Sequence, residues 1–127
     1  MSTRALAAIL WLNLAASLLQ YGDGIARFAG HPEPPWIAGP GTVALLWVAI
    51  TIVLAAGWWA RTHGRPWTGR MLLLAYAFLG MAVLGQYRYA DPNAMPLRLH
   101  VLIWAEAAAA MALFLWVVFD SLLLPAD

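Results

Sequence analysis

Apolar and polar positions in this chain separate on the scale of whole helices rather than single turns. Four stretches, about residues 5–21, 42–60, 71–87 and 96–119, are almost entirely apolar. Each is about 17–24 residues long, enough to cross a hydrocarbon layer of about 30 Å as a helix. Backbone in oil must satisfy its own hydrogen bonds, and a helix does that within one segment. The pattern therefore predicts an all-α integral membrane protein, a four-helix up-down transmembrane bundle with a Pro-rich outer loop. Spans and short connections consume residues 1–127 as one unit and leave no room for a soluble catalytic domain.

Few polar side chains interrupt the spans. Asn13, Ser17 and Gln20 fall within about 60° of one another around the first helix, at 100° per residue, with Gly24 on the same line. Such a stripe must face the bundle, a partner or water. It serves either as interhelical glue or as the lining of a ligand pocket.

Glu106 is the costliest residue. It lies about ten residues into the fourth span, roughly 15 Å deep at 1.5 Å per residue. A carboxylate near mid-bilayer costs about 2.5–3.5 kcal/mol, and no cation stands three or four residues away to relieve it. Matching depths across an up-down bundle put Asn13, Thr51 and Glu106 in one layer, with Tyr76 somewhat deeper. Glu106, Asn13, Ser17, Gln20, Thr51 and Tyr76 are thus the candidate ligand-binding residues. Glu106 is expected either to hydrogen-bond to Asn13 in its neutral form or to bind a proton or cation. Asp120, on the same line at the inner end, reads as an interfacial charge.

The longest connection contains Pro32, Pro34, Pro35 and Pro40. Proline forbids regular helix and stiffens the backbone, and Trp36 and Ile37 prefer an interface to water. An ordered cap over the bundle mouth is expected. Folded so, it would bring His31 and Glu33 to His100 and offer nitrogen and oxygen ligands to a divalent metal. The spacing matches no recognised metal motif. A single axial histidine to haem is a further option. In the last turn, Asn93 is expected to cap the fourth helix, and Arg88 and Arg98 to pair with Asp91.

All seven cationic side chains are Arg, cysteine is absent, and the net charge is +1. These exclude disulfides and thiol chemistry and give no basic stripe for nucleic acid. Arg4, Arg61, Arg65 and Arg70 stand against Arg27, Arg88 and Arg98, a bias that puts both termini in the cytoplasm by the positive-inside rule. Arg4 and the apolar run to Ala15-Ala16-Ser17 have the look of a signal peptide, read here as a retained first helix. Eight tryptophans suit aromatic belts at the membrane surfaces.

No nucleophile elbow, P-loop or His-Glu-x-x-His is present. Small size and the lack of a reaction motif point to a noncatalytic subunit or scaffold of a membrane complex, in a bacterial inner membrane. The small-residue patch Ala105–Ala110 would be its contact face for a partner or second copy. The alternatives are a small oligomeric transporter or ligand-binding protein centred on Glu106, and a lipid- or quinone-linked enzyme using His31, Glu33 and His100.

Overall fold

The computed structural model describes residues 3–123. Four helices, α1 (Thr3–Ala26), α2 (Pro40–Thr62), α3 (Pro66–Met81) and α4 (Leu97–Leu123), make up most of the chain. A 3-10 segment, Ala82–Arg88, prolongs α3, and each of the four resulting rods is long and apolar enough to cross a membrane. All of them overrun the expected spans, because residues such as Asp23 in α1 and Trp67-Thr68 in α3 continue the helical turns at the ends.

Local signals set the boundaries. Gly64 has φ +79° and ends the α2 hairpin, where Arg65 donates its backbone N–H to the Ala60 carbonyl at 2.9 Å. Glycine is the residue that enters this left-handed region without steric cost. Pro66 and Pro40 open α3 and α2, where a missing N–H costs nothing. Asn93 does not cap α4. Its own backbone N–H goes to Asp91 Oδ1 at 3.0 Å, and the pair forms a 3-10 turn ahead of the helix.

The helices form a ring in which α1 packs on α2, α2 on α3, α3 on α4, and α4 on α1. Matching residues run in opposite order. Gly57 meets Leu73 while Gly69 meets Arg61, Gly80 meets Ala110 while Arg70 meets Asp120, and Asn13 meets Ala109 while Asp23 meets Arg98. Neighbouring helices are antiparallel. The loops at residues 27–39 and 89–96 gather at one end, here the long-loop end, and the turn at residues 63–65 at the other, the short-loop end.

Burial follows a heptad. Leu6, Leu10, Asn13, Ser17, Gln20 and Gly24 are the inner seam of α1, alternating steps of four and three. Leu99, Ile103, Glu106, Ala110, Leu113, Val117 and Asp120 do the same on α4. A 3.5-residue repeat is the signature of nearly parallel or antiparallel helix packing. Large apolar side chains such as Trp11, Leu45, Leu97 and Leu122 face outward.

The Ala105–Ala110 stretch is divided, with Ala105 and Ala108 exposed and the rest turned inward. Ala107, Ala109 and Ala110 are buried inside the bundle, and a Cβ placed on Gly80 would come within 2.8 Å of the Ala110 Cβ. The small residues serve the chain's own close approach of α3 to α4.

Candidate functional site

The interior has two polar levels separated by an apolar one. The apolar level joins Leu6 and Leu10 of α1, Leu54 of α2, Leu73 of α3, and Leu113 and Val117 of α4. Toward the long-loop end from it lie Asn13, Ser17, Gln20, Asp23 and Glu106, all buried. Toward the short-loop end lie Arg70 and Asp120.

Glu106 is 3% exposed, and its Oε2 has no hydrogen-bond partner among the described residues. The expected bond to Asn13 does not form. Asn13 gives its Nδ2 to the Ile9 and Ala109 carbonyls, both at 2.9 Å. Residue 109 sits nearly one turn beyond 106, so the amide passes the carboxylate and ties α1 to the α4 backbone. Ser17 receives the Trp47 indole N–H at 3.1 Å and donates to the Leu14 carbonyl at 3.0 Å, with the Tyr76 phenol nearby. Glu106 is close enough to act electrostatically on both Tyr76 and Tyr21. Ser17, Tyr76 and Glu106 are therefore brought together, while Asn13 is structural glue. Thr51 is half-buried, with an unpartnered Oγ1.

Gln20 is 1% exposed, and neither its Oε1 nor its Nε2 has a partner among the described residues. It lines a cavity of about 60 Å³ with Tyr21, His31, Glu33, Ile37, Val43, Leu46 and Gln86. At roughly 30 Å³ per water, that is space for about two waters or one small ion. Gln86 enters because its segment is 3-10, where residues three apart lie on one face. Val83 and Gln86 both turn inward as a result. Gln86 and Tyr21 escaped the sequence analysis, the first inside an apolar run and the second as a span terminus. A lone amide in an apolar run, as with Gln20, was the available signal.

The proline loop does fold over this end, with His31 and Ile37 buried. His31 Nδ1 lies 2.7 Å from Glu33 Oε1, and its Nε2 lies 3.7 Å from Asp23 Oδ2. Asp23 Oδ1 also accepts from Arg27 at 2.8 Å and Arg98 at 2.9 Å. Arg98 thus pairs with Asp23, not Asp91, because the antiparallel register of α1 and α4 brings them level.

His100 stands apart from His31 and Glu33. Its Nδ1 lies 2.8 Å from the Tyr87 hydroxyl and its Nε2 2.9 Å from the Pro92 carbonyl, and its ring stacks on Tyr87. No group of three or more His, Cys, Asp or Glu residues among those described could hold a metal ion.

Asp120, at the short-loop end, is not an isolated charge. It is fully buried, and its Oδ1 and Oδ2 receive Arg61 and Arg70 at 3.3 and 3.2 Å. The partners come from the α2–α3 hairpin, folded so tightly that a Cβ on Gly69 would lie 2.8 Å from the Arg61 backbone nitrogen.

Buried polar atoms left without partners sort by place. Toward the long-loop end and Glu106 are five oxygens, Gln20 Oε1, Asp23 Oδ2, Thr51 Oγ1, Gln86 Oε1 and Glu106 Oε2, with the nitrogens Gln20 Nε2 and His31 Nε2 among them. Toward the short-loop end are the donors Arg61 Nε, Arg70 Nη1 and Trp116 Nε1. Compared with family models, with curated proteins and with solved structures, the chain gives no match.

Proposed function

We propose that this chain is a four-span, up-down membrane protein that binds a small hydrogen-bond-donating cation inside its bundle, between the Gln20 cavity and Glu106. A hydrated proton or an ammonium-class ion is the chemical type. One observation carries the reading, the excess of buried unpartnered oxygens over nitrogens around Gln20, Gln86 and Glu106. A buried polar group without a partner costs about 1–3 kcal/mol and more when charged, and native interiors avoid such groups unless something supplies the missing bond. An ion with several N–H or O–H donors supplies it. Tyr21 and Tyr76 add ring faces near which a cation is welcome. Entry is from the long-loop end, past the His31–Glu33 pair. Absence of a reaction motif was the ground for expecting a scaffold. The unpartnered acceptors weigh instead toward ligand binding.

The test uses the full chain purified in mild detergent and follows its intrinsic tryptophan fluorescence, to which Trp47 beside Ser17 contributes. Methylammonium chloride is expected to give a saturable change that sodium chloride at equal ionic strength does not. Glu106→Gln and Gln20→Leu should each weaken it at least tenfold. Equal responses from the wild type and both variants would refute the site. Failure of the chain to stay in carbonate-washed membranes would refute the membrane assignment.

A further inference from the structure

The short-loop end has the opposite imbalance. Arg61 and Arg70 converge on Asp120, and two guanidiniums carry about ten N–H donors against about four acceptor positions on one carboxylate. The surplus is visible in Arg61 Nε, Arg70 Nη1 and the Trp116 indole N–H, all buried and without acceptors among the described residues. Arg70 is 2% exposed. Aromatic platforms hold both cations in place. The Arg61 guanidinium lies 5.8 Å from the centre of the Trp116 ring, and that of Arg70 lies 5.1 Å from the Trp67 ring. Arg61 keeps a 16% exposed side chain, which leaves a way in from the exposed turn at residues 62–65.

We infer that Arg61, Arg70 and Trp116 form a binding site for a phosphate group. Fixed, planar guanidiniums recognise phosphate oxygens bidentately. A phosphate would accept from donors that Asp120 leaves over and offset the buried excess of positive charge. The phosphate comes either from an anionic lipid headgroup or from solution. Trp58, Trp59 and Trp67 beside the turn place the site where an aromatic belt meets lipid headgroups. This inference stands apart from the cation site, from which it is separated by the apolar level.

Thermal melting of the full chain in mild detergent, followed with inorganic phosphate, phosphatidylglycerol or phosphatidylcholine added, tests it. Native mass spectrometry of the same samples reads retained phospholipid. A rise with phosphatidylglycerol but not with phosphatidylcholine or inorganic phosphate identifies a lipid headgroup. A rise with inorganic phosphate identifies a soluble source. Arg61→Gln should weaken binding at least tenfold. Trp116→Phe keeps the ring under Arg61 but removes its N–H, and should weaken binding about threefold to tenfold. No response to either phosphate source would overturn the inference, and so would unchanged affinity in both variants, since the donors would then be satisfied by water alone.

Discussion

Glu106 and Asp120 stand two heptads apart on the same seam of α4, yet Asp120 receives two arginines and Glu106 none. The helical register is the same and only the neighbours differ. Opposite Asp120 lies the α2–α3 hairpin with its inner arginines. Opposite Glu106 lie Ser17, Tyr76 and Tyr21, which offer hydroxyls but no charge. This contrast dictates opposite responses to substitution.

Removing the Asp120 carboxylate leaves two buried guanidiniums uncompensated. Breaking one side of a buried ion pair costs about 3–5 kcal/mol, so Asp120→Leu should lower the melting temperature sharply. Adding Arg70→Met to it should recover part of the loss. A double variant melting below the single one would show that the arginine is not the strained partner.

Glu106→Gln should behave in the reverse manner. It replaces a costly unpaired acid with a neutral isostere, so the melting temperature should hold steady or rise while methylammonium binding falls. A large drop in stability would mean that Glu106 holds the fold together rather than waiting for a ligand.

Asn13 separates glue from site. Asn13→Leu removes the bond to the Ala109 carbonyl, and interhelical bonds of this kind contribute about 0.6–2 kcal/mol. A modest loss of stability with unchanged methylammonium affinity is expected from paired melts and titrations.

Two glycines give a steric control. Gly69→Ala drives a methyl onto the Arg61 backbone and should destabilise by about 1–3 kcal/mol, as overpacking does. Gly22→Ala meets nothing within 4 Å and should stabilise α1 by about 0.5–1 kcal/mol. Equal effects would contradict the close approach of α2 and α3.

Pairing at the long-loop end is weaker. Arg98 is 42% exposed where it meets Asp23, so Arg98→Ala should cost under about 1 kcal/mol. The cost should shrink further as salt is raised, measured as the melting difference at low and high ionic strength.

The four apolar rods were legible in the amino-acid order, because a spanning helix needs only length and hydropathy. So was the inward stripe of Asn13, Ser17 and Gln20, since three residues on one helix fix their own relative angle. The burial of Glu106 was legible too, from its depth alone. What failed were particular pairings that depended on the exact register between helices. The arginine partners of Asp120 were missed because they lie 50 and 59 residues away in sequence. Asn13 was matched to Glu106 by depth, but its amide reaches Ala109. His100 was assigned to the proline loop, whereas Tyr87 on the preceding segment claims it. Local periodicity carries no record of how far one helix slides along its neighbour.

The belt of leucine and valine between Glu106 and Asp120 has a last consequence. It lies between the proposed cation site and the short-loop end, so under that proposal the cation would enter and leave by the same mouth. A cul-de-sac of that kind would suit storing or sensing rather than conduction. To become a conduit, the four rods would have to slip past one another and break that hydrocarbon gasket.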